Sequence, residues 1–258
     1  MTMTTRAPSR RLGDTIHRLG VVASTQGEAA RLAAAGASEG TAVTATHQSA
    51  GRGRRGREWL DTPGESLLMS IVLRPPIPPG LAPQLSLVAA VAVVDALGTA
   101  GVTATIRWPN DVMVGERKIC GMLPEAVTAR QGTLEHVILG IGLNVNQRDF
   151  PASIRTLATS VRIETGRGHG VEQMLHAILA GIEGRYRHFV EGGLDTLLPA
   201  WLWRAQGIGR HARAADGREG VAVGLAADGA LLLQTDSGET VRVVAGEVTT
   251  ETVHAAGH

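Results

Sequence analysis

The sequence predicts an α/β protein of the α+β type, with a mixed, mostly antiparallel sheet, helices packed on one side of it, and a small β-barrel. Strand-like segments between residues 104 and 145 are joined by short turns, which favours antiparallel pairing. The Ala-rich apolar run Leu85–Leu97 predicts a buried helix. From Gly207 onward, apolar and polar residues alternate in short segments, as in a small all-β unit. These segments are separated by the turn dipeptides Asp216-Gly217, Asp228-Gly229 and Ser237-Gly238.

The length and composition are those of a soluble globular protein. The 258 residues carry a formal net charge of +1 and are 43% hydrophobic, enough for one large domain or a large and a small one. The longest apolar run is interrupted by Ser86 and Asp95, so no membrane span is expected. A single cysteine and an N-terminus without an apolar leader indicate a cytoplasmic protein without disulfides.

The N-terminal elements follow from local signals. Residues 1–18 are polar and rich in Thr and Arg, which predicts a mobile arm before a strand near Leu19–Ala23. Thr25 and Glu28 have the spacing of a capping box, so a helix should begin there and continue to Gly36.

The remaining elements follow from apolar periodicity and turn residues. Two domains result: residues 1–206, with the arm, and residues 207–258, the small barrel, which is too small to be secure alone and should dock on the first. The predicted strands are Thr41–Gln48, Ser66–Leu73, Ala104–Trp108, Lys118–Val127 and Glu135–Val145, and the predicted helices are Leu85–Leu97, Val171–Val190 and Leu194–Trp203.

The loop Gly51–Arg57 concentrates positive charge. It contains four Arg and no acid, whereas the rest of the chain has 21 basic and 24 acidic residues. Glycines let backbone N–H groups converge on an anion, and guanidinium groups bind carboxylates and phosphates in pairs. Repulsion between these charges and the entropy of Gly predict a loop that is disordered near Arg52–Arg57 without ligand.

Four interpretations of this loop remain open. Gly51, Gly53 and Gly56 fit a dinucleotide fingerprint, but no long helix follows. The interpretation as a nucleic-acid-binding loop is weakened because the rest of the chain is net acidic and the whole chain has only seven aromatic residues. The loop could be simply solvated, or it could close over a pair of anionic small molecules. A Walker A motif is absent, and the nine His show no metal-ligand spacing, so no metal site is predicted.

The second group of candidates lies between residues 108 and 144. Of the 25 basic residues only Lys118 is a lysine, which suggests a need for a compact ammonium that Arg cannot replace. Gly140 and Gly142 fall on one face of a predicted strand, where a ligand could approach the backbone; a bulged strand explains them equally well.

Taken together, these blocks resemble the biotin-protein ligase family, strongly from Leu19 to Asn146, weakly through the later helices and again in the small C-terminal domain. The resemblance rests on Ser24-Thr25-Gln26, the segment His47–Trp59, Arg107-Trp108-Pro109-Asn110-Asp111, Lys118–Gly121 and Gly140–Asn146. It implies an enzyme that uses ATP to form biotinyl-5'-AMP and transfers biotin to a lysine of a biotin carboxyl carrier domain. It also implies that the small domain is an SH3-like β-barrel.

The resemblance assigns roles by position in this sequence. Catalytic roles fall to Lys118, Arg54 and Asp111. Biotin binding falls to Ser24, Thr25, Gln26, Gln48, Gly51, Arg52, Gly53, Arg54, Lys118, Gly121, Gly140 and Gly142. ATP binding falls to Arg54, Arg55, Arg57, Trp59, Asn110, Lys118 and Asn144.

Further expectations follow from the same resemblance. Mg²⁺ should accompany ATP. Gln26 stands where Asn is common in the family, Arg107 where Lys is frequent, and Pro124 where an apolar residue usually stands. The 23 residues before Ser24 are too few for a DNA-binding domain, so a monofunctional ligase without DNA or membrane partners is expected. A homodimer joined through a sheet edge, a ligase for another acid such as lipoate, and a nucleic-acid-binding protein are left open.

Overall fold

The computed structural model describes residues 11–246 and 248–250, and the predicted arm up to residue 10 lies outside this range. A seven-stranded sheet has the order β1-β2-β3-β7-β6-β5-β4. Only β1 and β2 pair in parallel and the other neighbours are antiparallel, as the sequence predicted. The strands are β1 Ile16–Val22, β2 Ala42–Gln48, β3 Ser66–Leu73, β4 Thr105–Arg107, β5 Asp111–Val114, β6 Arg117–Thr128 and β7 Leu134–Asn144.

Helices cover both faces of this sheet, and the prediction that they lie on one side is wrong. Alternate residues of a strand point to opposite faces. In β3, Ile71 and Leu73 join the main core with α2 and α4, whereas Val72 packs with Ala29 and Ala33 of α1. The helices are α1 Thr25–Ala34, α2 Gln84–Thr99, α3 Val161–Thr165, α4 Val171–Gly192 and α5 Leu198–Arg204.

The apolar helix α2 is the centre of the core. The segment Pro79–Thr99 is long and apolar enough to cross a membrane by length and composition, but 78% of its most apolar window is buried inside the protein. It packs against α4, α5 and the sheet. Its all-round apolar surface is therefore covered by the chain itself, as in a core helix.

A second, antiparallel sheet forms the C-terminal part, with the order β11-β10-β9-β8-β12. Its end strands β11 and β12 do not pair with each other, so the predicted barrel is an open sheet. It docks on the first part through Trp108, whose Nε1 donates to the carbonyl of Gly229 at 3.0 Å. The strands are β8 His211–Ala214, β9 Glu219–Leu225, β10 Leu231–Gln234, β11 Thr240–Val243 and β12 Val248–Thr250.

Several boundaries differ from the predictions. The first strand begins at Ile16, so residues 16–18 of the predicted arm belong to the sheet. Asp111, predicted in a turn, begins strand β5 because it pairs with β4 and β6. The predicted helix Leu194–Trp203 is a 3-10 turn followed by α5, with Pro199 in the first turn of α5. Helix α3 was not predicted.

The capping box at the start of α1 is also absent. Ser24, not Thr25, is the N-cap, and its hydroxyl accepts from the backbone N–H of Gln26. Glu28 pairs with Arg31 instead of reaching back to the helix start. The hydroxyl of Thr25 is thereby available for the contacts described next.

Candidate active site

A pocket opens on the α1 face of the main sheet. It lies where the start of α1, the Arg-rich loop Gly51–Arg57 and the strands β6 and β7 converge. Most of the predicted site residues line it, together with four that the sequence analysis did not name. The lining residues are Thr25, Gln26, Gln48, Arg52, Gly53, Arg54, Trp59, Met69, Asn110, Lys118, Gly121, Met122, Leu123, Gly140, Ile141 and Gly142.

Three glycines form the floor of the pocket. Gly140 pairs with Leu123, and Gly142 with Gly121, which places these residues on one face of β6 and β7. A Cβ added at Gly142 would lie 2.5 Å from the Trp59 ring, and one added at Gly121 would lie 2.9 Å from Lys118 Nζ. The glycines therefore leave room for the Trp59 and Lys118 side chains above the sheet.

One end of the pocket is polar and uncharged. The Gln48 side-chain oxygen accepts from the backbone N–H of Thr25 at 2.8 Å and lies 3.0 Å from its hydroxyl. The same hydroxyl lies 2.9 Å from Ser70 Oγ on β3. Since Oε1 of Gln48 is held by these donors, its amide nitrogen remains to bind an acceptor on a ligand.

The other end carries positive charge. Lys118 Nζ lies 2.6 Å from Asp111 Oδ1 and 5.7 Å from the centroid of the Trp59 ring. Arg107 contacts the other oxygen of Asp111 at 3.5 Å. The backbone of Lys118 is fixed on both sides, since its N–H donates to Leu157 and its carbonyl accepts from Thr159. The ammonium is thus held at a defined point above the glycine floor.

The Arg-rich loop folds back as a narrow turn over this end. Arg52 pairs with Glu58 in an isolated bridge, and the Gly53 N–H donates to the Arg57 carbonyl at 2.7 Å. Arg54 donates to Asn110 Oδ1 at 2.9 Å, which directs a second cation into the pocket. Asn110 is fixed in turn by donating to the Met122 carbonyl.

Arg52 makes a contact that the sequence analysis did not anticipate. Its Nη2 lies 3.1 Å from a carboxylate oxygen of Glu125 on β6, although the residue also lines the pocket. Both side chains are substantially exposed, and such pairs contribute little free energy. A ligand carboxylate or phosphate could therefore replace Glu125 as the partner of Arg52 at small cost.

Six predicted residues do not line the pocket. Asp111 forms an ion pair with the pocket residue Lys118, and Ser24 caps α1 next to the pocket. Asn144 is buried, and its amide donates to the Thr159 carbonyl behind Lys118. Gly51, Arg55 and Arg57 lie in the loop outside the pocket wall.

The residues that sequence analysis missed had weak local signals. Met69, Ile141 and Met122 belong to apolar strands, and nothing in their types distinguishes them from the core. His47 and Asp61, whose side chains lie 2.9 Å apart, fix the end of β2 beside Gln48, since Asp61 also accepts from the Gln48 N–H. Their proximity depends on the fold and not on sequence spacing.

Cys120 precedes Gly121 of the floor in the chain. It is fully buried and belongs to the main hydrophobic core. Burial raises the pKa of its thiol to about 12, against a smaller lowering by Lys118. The thiol stays protonated at neutral pH and is therefore a poor nucleophile.

This arrangement defines a class of enzyme. Three cations, Arg52, Arg54 and Lys118, face a pocket whose other end is neutral and rich in amides. Two anions can approach each other only where cations neutralise them and fix their geometry. The pocket therefore suits a ligase that activates a carboxylic acid with a nucleotide.

Comparisons with known proteins name the family. Residues 21–144 match the model of the biotin/lipoate A/B protein ligase family, and residues 207–249 match the biotin protein ligase C-terminal domain. The chain is 41% identical over 224 residues to the bifunctional ligase/repressor BirA of Bacillus spizizenii, covering 84% of this chain and 69% of that one. It is 37% identical over 235 residues to the biotin--[acetyl-CoA-carboxylase] ligase of Paracoccus denitrificans, covering 87% and 96%.

A solved structure agrees with these relatives. The biotin protein ligase from Aquifex aeolicus in complex with biotin and ATP superposes with a TM-score of 0.78 at 30% identity, covering 92% of this chain and 99% of that one. The chain belongs to the biotin protein ligase family.

Proposed function

We propose that this chain activates biotin with ATP to biotinyl-5'-AMP and transfers the biotinyl group to a lysine of a biotin carboxyl carrier domain. In the first step a biotin carboxylate oxygen attacks the α-phosphorus of ATP and pyrophosphate leaves. In the second step the lysine amine attacks the acyl carbon, loses a proton, and AMP leaves. The observation that carries the proposal is the convergence of Arg52, Arg54 and Lys118 on one glycine-floored pocket.

The neutral end of the pocket would hold the ring system of biotin. Gln48 offers an amide nitrogen there, and Thr25 orients it. Ser24 lies at the helix start beside them, so backbone N–H groups of α1 are close to the same end. The floor of Gly121, Gly140 and Gly142 would allow the ligand to lie against the backbone.

The cationic end would neutralise the reacting groups. Lys118 is held at a fixed point by Asp111, so its charge could stabilise the α-phosphate and carboxylate oxygens without reorganising. Arg52 would exchange Glu125 for a ligand oxygen, and Arg54 would act from beside Asn110. In this proposal Gly51 and Gly53 let the loop close over the acyl adenylate and exclude water.

The nucleotide would lie on the Trp59 side of Lys118. The indole N–H of Trp59 is buried without a partner among the described residues, and Asn110 lies on the pocket wall. Asn144 would contribute indirectly. Its amide donates to the carbonyl of Thr159, and the backbone N–H of Thr159 donates to the carbonyl of Lys118. Arg55 and Arg57 would reach the phosphates only after the loop rearranges.

Mg²⁺ is expected to accompany ATP, but the described residues do not provide a metal cage. No group of three or more His, Cys, Asp or Glu within 11–246 and 248–250 could hold a metal ion. Asp111, the carboxylate beside Lys118, is already paired with it. Mg²⁺ commonly keeps several waters and binds through substrate phosphates, so we expect it to bind as a complex with the triphosphate of ATP.

The partner and setting are parts of the same proposal. The names of relatives point to an acetyl-CoA carboxylase carrier as the acceptor. Use of ATP and a single buried Cys120 support a cytoplasmic enzyme. Residues 1–206 would form the catalytic domain and residues 207–258 the small one, a division supported by the start of the C-terminal family match at residue 207. We propose no DNA or membrane partner, and homodimerisation through a sheet edge stays open.

The test is biotin-dependent exchange of pyrophosphate into ATP, with lipoate and octanoate in parallel and Mg²⁺ present. We expect exchange with biotin alone, and loss of exchange in Lys118→Ala with its circular dichroism spectrum unchanged. Exchange with lipoate instead would support the alternative acid. No exchange with any acid from folded protein would overturn the ligase assignment and favour the nucleic-acid interpretation of the Arg-rich loop.

A further inference from the structure

Five buried polar side chains form a cluster beside the start of β6, where Lys118 lies. Gln147 Nε2 donates to Ser66 Oγ and, at 3.3 Å, to Asn144 Oδ1, and Ser160 Oγ donates to the Gln147 carbonyl at 2.6 Å. The members are between 0 and 4% exposed and are Ser66, Asn144, Gln147, Thr159 and Ser160. Buried polar groups are costly unless they are hydrogen-bonded, so such a network favours one arrangement of its members.

The cluster reaches Lys118 through residues 157–159. The backbone N–H of Lys118 donates to the Leu157 carbonyl at 2.8 Å, and the N–H of Thr159 donates to the Lys118 carbonyl at 3.0 Å. Lys118 therefore forms a parallel bridge with Ala158. Asn144 Nδ2 donates to the Thr159 carbonyl at 2.9 Å. The position of this short segment thus determines where the backbone of Lys118 lies.

Glu164 of α3 is the charged group that holds this segment. Its Oε1 accepts from the hydroxyl of Thr159 and, at 2.8 Å, from Arg117 Nη2. Thr159 binds the Lys118 carbonyl, and Arg117 directly precedes Lys118 in the chain. One carboxylate oxygen therefore constrains the backbone of Lys118 by two routes.

Helix α3 holds the Glu164 carboxylate in a fixed place. Ser160 caps the helix, since its Oγ accepts from the Ile163 N–H at 3.1 Å, and the Arg162 N–H donates to the Val145 carbonyl at 2.8 Å. The Glu164 side chain is only 16% exposed, so its hydrogen bonds are partly shielded from water. Hydrogen bonds to an ionised carboxylate are stronger than those between neutral groups. Glu164 is thus an anchor for residues 157–159.

We propose that Glu164 and Thr159 are positioning residues for Lys118 in the adenylation step. This inference rests on the proposed function, because it concerns the same ammonium. Asp111 holds the tip of Lys118, with Nζ 2.6 Å from Oδ1, whereas Glu164 and Thr159 hold its backbone. A misplacement of about 1 Å can slow a reaction about a hundredfold. Neither positioning residue lines the pocket, so their loss should affect the rate more than the binding of biotin.

The first test removes the hydroxyl of Thr159. In the pyrophosphate-exchange assay we expect kcat of Thr159→Val to fall by about tenfold or more, with KM for biotin changed by less than about twofold. Thr159→Ser keeps the hydroxyl and should recover most of the wild-type rate. Thr41→Val is the matched control, because Thr41 is 4% exposed and its hydroxyl donates to the Ser38 carbonyl at 2.8 Å, at the end of β2 opposite to Gln48.

The second test removes the carboxylate of Glu164. Glu164→Ala should show the same fall in kcat with a nearly unchanged KM for biotin, and Glu164→Gln, which keeps an acceptor oxygen, should retain more of the rate. Glu183→Ala is the matched control, because Glu183 is 17% exposed and pairs with Arg187 on α4, which packs on the other face of the sheet. It should keep full activity.

The two substitutions are then combined. Because Glu164 and Thr159 share one hydrogen bond, the double variant Glu164→Ala/Thr159→Val should be only slightly slower than Glu164→Ala alone. Circular dichroism and thermal midpoints verify that each variant is folded. Thr159 is buried and Glu164 is close to the surface, so the Glu164 variants decide the question if Thr159→Val does not fold.

The outcomes separate this inference from the proposed function. If wild-type protein shows no exchange with any acid, the proposed function fails and the inference fails with it. If the wild type exchanges with biotin but folded Glu164→Ala keeps its kcat, only the positioning role is wrong. A higher KM for biotin at unchanged kcat, losses no larger than those of Thr41→Val and Glu183→Ala, or strictly multiplicative effects in the double variant would also overturn it.

Discussion

Lys118 has surroundings that a larger cation would not fit. Its ammonium lies between Asp111 and the ring of Trp59, and its terminal carbon and nitrogen pass directly over Gly121. A guanidinium is wider, planar and oriented for paired contacts, so it could not keep the same point charge above the floor. The structure thus gives a steric reason for the single lysine among 25 basic residues.

Lys118→Arg tests this reason while conserving charge. We expect kcat for biotin-dependent pyrophosphate exchange to fall by about a hundredfold or more, because a displaced charge no longer stabilises the transition state. The thermal midpoint should stay close to that of the wild type. Arg130→Lys, at an exposed turn far from the site, is the control and should keep full activity. Full exchange by Lys118→Arg would show that charge alone suffices at this position.

At the scale of secondary-structure elements, periodicity predicted most strands and the buried helix. The strand with Gly140 and Gly142 on one face was predicted from alternation alone, and the register with β3 and β6 confirms it. The capping box failed because the Thr25 hydroxyl bonds with Gln48 and Ser70, which lie 23 and 45 residues away in sequence. Local patterns do not encode such partners, and for the same reason Asp111 was predicted in a turn and not in β5.

The position of α1 shows the same limit for a helix. Its sequence predicts that it is helical, but not which face of the sheet it covers. In the structure it packs on Val43, Val72 and Ile138, opposite α2 and α4, and so borders the pocket. The N-terminal residues Ser24, Thr25 and Gln26 could therefore be predicted as site residues only from the family resemblance.

Gly142→Ala tests whether the glycine floor on β6 and β7 is needed to leave room for the Trp59 ring. The added Cβ would lie 2.5 Å from Trp59 Cε2, so the indole must move away from the pocket. We expect exchange to fall by about tenfold or more, with a shift in tryptophan emission. Gly98→Ala is the matched control, since no atom lies within 4 Å of its added Cβ and the position is exposed in α2. It should keep activity and gain about 0.5–1 kcal/mol of stability. An unchanged emission spectrum and full exchange in Gly142→Ala would contradict the close contact.

On the scale of the whole molecule, the two sheets share one apolar core. Leu231, Leu233 and Ala222 of the C-terminal sheet belong to the same buried cluster as α2. The turn at Gly229 packs on Gln84 and Leu87, and a Cβ at Gly229 would lie 3.2 Å from each. Arg55 of the loop also lies near Gly246. The C-terminal part therefore contacts both the core helix α2 and the Arg-rich loop.

This continuity predicts that the two parts unfold in one transition. Hydrogen exchange of β3 and β7, followed by mass spectrometry, reports on the first part, whereas tryptophan fluorescence would report on both because Trp108 contacts Gly229. Hydrogen exchange of β8 to β11, followed by mass spectrometry, reports on the second. We expect the two denaturation midpoints to coincide in the wild type. Gln84→Ala should lower both together, because it removes the hydrogen bond to the carbonyl of Ala227 and the buried side chain that packs under the turn at Gly229. The expected loss is about 1–3 kcal/mol, and each kcal/mol should lower Tm by about 2–4 °C in a chain of this size. A lower midpoint in β8 to β11 alone would show that the parts are stabilised independently, and that the small sheet is not needed to hold α2 in place.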